Sequence, residues 1–273
     1  MITDPEMNAQ WFNMKLPTFM LLLFLASSCG SIKTESEVNA IPFSVVKIFP
    51  HDTSAFTQGL VIEYGRLFES TGQEGSSWIA EVELATGKQD KKVVLAKPYF
   101  GEGITILNKK IYQLTWKSKK GFVYNIDTFE KIKEFEYEYP GWGITHNGKN
   151  LIVSDGTDKL HFLDTATLKQ VSELHVTQNL SQIDQLNELE FIDGYLFANR
   201  WMTNEVVKID LSNGYVVGRL NLAELAREAN QKNPNADVLN GIAYEKKSGL
   251  LLVTGKWWPF LFALRLDKVE ESK

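Results

Sequence analysis

The chain has 273 residues, a hydrophobic fraction of 44% with 12% aromatics, and a net charge of −5. That composition suits a globular body with a sizeable core, and neither the acidic balance nor any basic stripe suggests a nucleic-acid partner. Cys29 is the sole cysteine, which excludes an intrachain disulfide.

Near the N-terminus, Lys15 precedes the apolar run Leu16 to Leu25 and then Ala26-Ser27-Ser28-Cys29. A positive residue, a short apolar run and small residues follow the grammar of a secretory signal. The run falls short of the roughly 20 apolar residues a spanning helix needs. Cys29, directly after small residues, is similar to the lipidated cysteine of a bacterial lipoprotein signal, cleaved just before it. Ser28 departs from the usual Gly or Ala, and an ordinary cleaved signal is the alternative. Residues before Met14 fit no signal pattern, so Met14 is a second candidate start. The polar stretch Gly30 to Ala40 reads as a tether. The expected organisation is a signal over 1–29, a tether over 30–42, one domain over 43–268 and a tail over 269–273. Its expected setting is exported, as a periplasmic or cell-envelope lipoprotein attached to membrane only through lipid on Cys29.

Phe43 to Phe49 reads as a strand by its β-branched and aromatic content, stopped by Pro50. It has no partner of its own. Five related phrases follow: Phe56-Thr57-Gln58-Gly59-Leu60, Phe100-Gly101-Glu102-Gly103-Ile104, Gly141-Trp142-Gly143-Ile144, Leu186-Asn187-Glu188-Leu189 and Leu239-Asn240-Gly241-Ile242. Four place Gly before an aliphatic residue, and Glu188 takes that position in the fourth. Positions 59, 103, 143, 188 and 241 lie 44, 40, 45 and 53 apart. A period of roughly 40–50 residues signals propeller blades, solenoid turns or an array.

Each phrase leads to a polar turn and an apolar strand, starting at Arg66, Lys110, Asn150, Tyr195 and Leu250. Next comes a strand ending in an acidic residue (Glu83, Asp127, Asp164, Asp210 or Asp267), then a turn and a returning strand. The spacing predicts an all-β fold, a five-bladed β-propeller of four-stranded antiparallel blades. The fifth repeat stops at Asp267 with three strands, so the orphan strand Phe43–Phe49 is expected to close the last blade and remove an exposed edge. Leu222 to Gln231 breaks the pattern as a short amphipathic helix, ended by Asn233-Pro234 and available to cover one mouth.

In a propeller, equivalent positions of different blades gather around one axial mouth. The residue before the Gly position is Gln58, Glu102, Trp142, Asn187 and Asn240; the second strands end at Thr71, Thr115, Asp155, Arg200 and Gly255. The residue after each of these ends is Gly72, Trp116, Gly156, Trp201 and Lys256. Trp116, Trp142, Trp201 and Lys256 are therefore expected around the same opening as Glu102. A single Trp would read as packing; recurrence beside one carboxylate points to a site. Glu102, between two glycines, is expected to be poorly shielded. Asp155 and Arg200 read as a structural ion pair across blades, and Glu188 and Glu190 as core-edge pairings with Arg200. His51, His146, His161 and His175 are scattered without metal-ligand spacing. No Gly-rich loop opens a helix and no G-x-S-x-G elbow occurs.

Together with Glu69-Ser70-Thr71-Gly72, Gln113-Leu114-Thr115-Trp116-Lys117, Ser154-Asp155-Gly156, Asn199-Arg200-Trp201, Ala236-Asp237-Val238 and Thr254-Gly255-Lys256-Trp257-Trp258, the phrases resemble the plant-type glutaminyl-peptide cyclotransferase family. They span residues 43 to about 267 in order. The resemblance implies a five-bladed propeller that cyclises N-terminal glutamine of peptides or proteins to pyroglutamate and releases ammonia. It implies a monomer acting without cofactor or metal. The site residues it implies are Phe56, Gln58, Phe100, Glu102, Trp116, Trp142, Asn187, Trp201 and Lys256. Glu102 would carry the proton, with its pKa raised by the flanking indoles. Gln58, Asn187 or Lys256 would stabilise the oxyanion, and Phe56, Phe100 and the three indoles would hold the substrate. Two other readings stand beside it. One is a non-catalytic, membrane-tethered propeller binding peptides. The other is a calcium-dependent propeller hydrolase using Glu188, Glu190 and Asp155.

Overall fold

The computed structural model describes residues 38–267. The signal, Met14, Cys29, most of the tether and the tail lie outside the described residues.

The strands fall into five sheets. The first runs Thr57–Glu63, Arg66–Thr71, Trp78–Glu83 and Lys88–Val94; the second Gly101–Leu107, Lys110–Thr115, Lys120–Asn125 and Lys131–Glu136. The third is Ile144–His146, Asn150–Ser154, Lys159–Asp164 and Gln170–His175. Each is four-stranded and antiparallel, with its first strand innermost. In the last sheet Leu239–Glu245, Leu250–Gly255 and Phe260–Leu266 are completed by Phe43–Pro50, which pairs antiparallel with Phe260–Leu266. The first long strand and the last thus pair within one sheet.

The remaining sheet is larger. Leu186–Ile192, Tyr195–Arg200, Glu205–Asp210 and Tyr215–Asn221 form an antiparallel set, and three short strands make it seven-stranded and mixed. Asn39–Ala40, read in sequence as tether, runs parallel to Tyr215–Asn221, and buried Ile41 packs beside it. The hairpin Thr177–Gln178 with Ser181–Gln182 adds to the same edge. Neither addition shows a two-residue alternation long enough to read in sequence.

The inner strands touch in a ring: first to second, second to third, third to fourth, fourth to fifth, and fifth back to first. Their close approach explains the glycines. A Cβ on Gly59 would sit 2.5 Å from the Ile104 nitrogen, and one on Gly143 would sit 2.0 Å from the Asn187 oxygen. No side chain fits there. Inner strands are buried along most of their length, whereas the outermost strands Lys88–Val94, Lys131–Glu136 and Gln170–His175 are polar and mostly exposed. Charged, solvated outer strands are how such sheets avoid pairing with other chains. The acidic strand ends cap the turns after them: Asp164 Oδ1 accepts the Thr167 N–H at 2.8 Å, and Asp210 Oδ1 that of Ser212 at 2.8 Å.

The helix spans Ala223–Lys232, and its apolar face (Leu225, Ala226 and Ala229) packs with Leu239, Trp258 and Phe262 between the last two sheets. It lines none of the axial cavity described next. The expectation that it covers a mouth is corrected: its apolar stripe is used up against the sheets.

Candidate active site

Four inner strands share one irregularity. The pairing register slips between Thr57 and Gly59, Gly101 and Ile104, Leu186 and Leu189, and Leu239 and Ile242. Each slip is a β-bulge holding the residue before the Gly position. A bulge bends the strand and re-aims a side chain that a regular pleat would direct elsewhere. The bulges are held from the preceding sheet. Ser70 Oγ donates to the Glu102 carbonyl at 2.6 Å, Ser154 Oγ to the Asn187 carbonyl at 2.6 Å, and Asn199 Oδ1 accepts the Gly241 N–H at 3.0 Å.

The result is a cavity of about 270 Å³ lined by Phe56, Gln58, Gln73, Phe100, Glu102, Trp116, Trp142, Asn187, Trp201 and Lys256. All nine residues singled out in the sequence meet here. The walls are aromatic: Phe56 meets Phe100 edge-on at 6.1 Å, Phe100 meets Trp116 at 5.7 Å, and Trp142 meets Trp201 at 5.5 Å and 84°. Trp201 forms the exposed rim. Lys256 Nζ lies 4.5 Å from the centre of the Phe56 ring, a cation held against an aromatic face.

Glu102 is 4% exposed, so the expectation of poor shielding is corrected. The flanking glycines let neighbouring backbone close over it. Its carboxylate has no hydrogen-bond partner among the described residues, and burial raises its pKa well above the ordinary 4.5 while the Lys256 charge pulls the other way. Burial in turn lowers Lys256, with Glu102 and Asp237 opposing. Asn187 Oδ1 is buried without a partner among the described residues.

Asn240, grouped in sequence with the mouth residues, does not line the cavity. It is fully buried behind Gln58. Gln73 does line it and was missed, because it sits past the strand end with φ at 98°, where no periodicity marks it. The available signal was Gly72, which stands where other repeats carry Trp116 and Trp201. A Cβ at Gly72 would meet the Phe100 ring at 2.3 Å, so Phe100 takes that space.

Three pairings expected from sequence are corrected. Asp155 bonds His161 Nε2 at 3.0 Å and the Thr157 N–H, while Arg200 reaches Asp184 and Glu205. Each finds a nearer partner on its own sheet or loop. Glu188 and Glu190 do not pair with Arg200 either. Glu188 spans the axis: Oε1 accepts the Leu60 N–H at 3.2 Å and Oε2 that of Ile242 at 2.8 Å. Glu190 accepts the Tyr244 N–H at 3.0 Å. Glu188, Glu190 and Asp155 are thus not brought together as a calcium site would require. No group of three or more His, Cys, Asp or Glu side chains among the described residues is arranged to hold a metal.

A ring of mainly antiparallel sheets with an aromatic cavity at an axial mouth, holding a buried carboxyl that no donor among the described residues occupies, defines a propeller of enzyme type. The chain belongs to the glutamine cyclotransferase family, whose model matches residues 19–266. It is 38% identical over 245 residues to a glutaminyl-peptide cyclotransferase of Arabidopsis thaliana, covering 89% of this chain and 76% of that one. It is similar to the crystal structure of Myxococcus xanthus glutaminyl cyclase, with 34% identity, a TM-score of 0.80, and coverage of 86% of this chain and 100% of that one.

Proposed function

We propose that the protein is a glutaminyl-peptide cyclotransferase, a five-bladed propeller acting on N-terminal glutamine through Glu102. The antiparallel core of the mixed sheet, Leu186–Asn221, counts as the fourth blade in this reading. The observation that carries the chemistry is the buried Glu102 carboxyl, facing the cavity with no donor upon it among the described residues.

The substrate's α-amine attacks its own γ-carboxamide carbon, forming the ring C–N bond. An α-amine has a pKa of about 7.7–8.0, so a usable neutral fraction exists near neutrality and the base need not be strong. Glu102 takes the proton from the attacking nitrogen and hands it to the carboxamide nitrogen, which departs as ammonia when its C–N bond breaks. A carboxyl raised by burial suits both halves of that transfer better than one at its solution value. Gln58 Nε2 and Lys256 donate to the oxyanion, and Asn187 Oδ1 accepts an N–H of the substrate. The indoles and Phe100 hold the glutamine side chain folded towards its amine. Export behind a leader ending at Cys29, with lipid on that cysteine, belongs to the same proposal. Loss of membrane association in Cys29→Ser tests that part alone.

The test is incubation of purified protein with a Gln-initiated peptide in the presence of chelator, followed by mass. The expected product is the peptide less one ammonia. An unchanged peptide overturns the reading in favour of a binding propeller, and activity abolished by chelator favours a metal-dependent one.

A further inference from the structure

Asn240 occupies the position before the Gly in the fifth repeat, the register that supplies Gln58, Glu102, Trp142 and Asn187 to the cavity. It alone stays out of the cavity. Its Nδ2 donates to the Thr57 carbonyl at 3.0 Å and to Gln58 Oε1 at 3.2 Å, across the junction where the last sheet meets the first. Its own backbone is held by the Asn199–Gly241 hydrogen bond, at a glycine whose φ of +115° other residues rarely adopt. The side chain therefore reaches Gln58 from a fixed base.

A carboxamide has two unlike ends and a terminal torsion that is broad and roughly two-fold, so a free Gln58 would present either nitrogen or oxygen to the cavity. Only one end suits an oxyanion. With Oε1 engaged by Asn240, Nε2 is the end left without a partner among the described residues, and Gln58 lines the cavity. We infer that Asn240 is a positioning residue: it fixes the Gln58 amide with its donor towards the substrate carbonyl, without touching substrate itself. This rests on the cyclotransferase reading above.

A positioning role has a kinetic signature. Removing one preorganised oxyanion donor typically costs about 10²–10³ in kcat. Removing only its orientation leaves the amide correct part of the time. Asn240→Ala is expected to lower kcat by about tenfold, with KM within a factor of about two, since the donor acts in the transition state.

The decisive step repeats the substitution on Gln58→Ala, with N-terminal glutamine peptide as probe. Residues that act through one another are non-additive. In that background Asn240→Ala should cost nothing further. Equal losses in both backgrounds overturn the inference, as does an Asn240→Ala enzyme with unchanged kcat. Asn240→Asp, close in volume but with acceptors facing two acceptor oxygens, is the second variant should Asn240→Ala fail to fold. Its expected loss is at least as large and likewise vanishes on Gln58→Ala. An inert wild type would instead sink the cyclotransferase reading, so the two failures are distinct.

Discussion

Glu102 and Glu188 belong to the same repeated phrase, one position apart in register, and both are buried with raised pKa values. Their surroundings differ completely. Glu188 stands where the other repeats need glycine, and its two oxygens accept backbone N–H groups from the first and last sheets. Glu102 has no such donors among the described residues and opens onto the aromatic cavity. A buried carboxyl given donors is a structural tie across the axis. A buried carboxyl given none keeps its acceptor capacity for something that enters. Burial and a displaced pKa do not separate the two cases; the hydrogen-bond partners do.

Substitution separates them most sharply. Glu102→Gln keeps volume and removes the proton carrier, and general acid–base groups typically contribute about 10²–10⁴-fold. We expect a loss of that order in kcat, with a melting temperature equal to or above wild type because a costly buried acid is gone. Glu188→Leu should do the reverse. Each buried N–H left without its acceptor costs about 1–3 kcal/mol, so thermal unfolding should report a marked loss while kcat of the folded fraction stays within a few-fold. A Glu188→Leu enzyme as dead as Glu102→Gln, with an unchanged melt, would erase the distinction.

A smaller effect lies in the pH profile. Burial raises Glu102 and the Lys256 charge lowers it. Lys256→Met removes the lowering influence, so the acidic limb of kcat/KM should move to higher pH, apart from any loss of rate. A limb that stays put or moves down would contradict the coupling.

The smallest effect concerns stability. Burial pushes Glu190 from 4.5 to about 8, against the Tyr244 N–H and Lys246. A raised folded value stabilises fully below the unfolded 4.5, and that contribution fades as pH rises towards about 8. His51 acts in the same sense. Burial disfavours its charge, but the Glu69 carboxylate at 3.0 Å and the Trp258 carbonyl hold it above 6.5, so its contribution is full below 6.5 and lost at higher pH. The melting temperature should therefore fall by a few degrees between about pH 6 and about pH 9, and Glu190→Gln should flatten the slope. A melt that rises over that range would reverse the assigned sign.

The repeated phrases make much of this readable in the sequence. Close approach of inner strands demands glycine at 59, 103 and 143, a φ of +115° demands it at 241, and the bulges at Gln58, Glu102 and Asn187 aim those side chains at the mouth. Those backbone demands leave residue types in fixed places, which is why seven cavity residues are legible by register, while Phe56 and Phe100 come from the family resemblance. Orientation was not. Register placed Asn240 with Gln58, but only hydrogen-bond geometry puts it behind that residue. Gln73 lies in a loop without periodicity. Asp155 and Arg200 sit at equivalent strand ends, yet each is satisfied locally, since long side chains take the nearest partner rather than the symmetric one. The two-residue strand Asn39–Ala40 is set by the edge it meets, not by its own composition.

The most direct test is to titrate the Glu102 carboxyl by ¹³C NMR, assigned by the resonance missing in Glu102→Gln, beside the pH dependence of kcat/KM on a Gln-initiated peptide. The account predicts a titration above 4.5 that reappears as a step in the acidic limb of the wild-type profile, beside the step set by the substrate α-amine. A carboxyl titrating at or below its ordinary value, or a Glu102→Gln enzyme that keeps wild-type turnover, would contradict it.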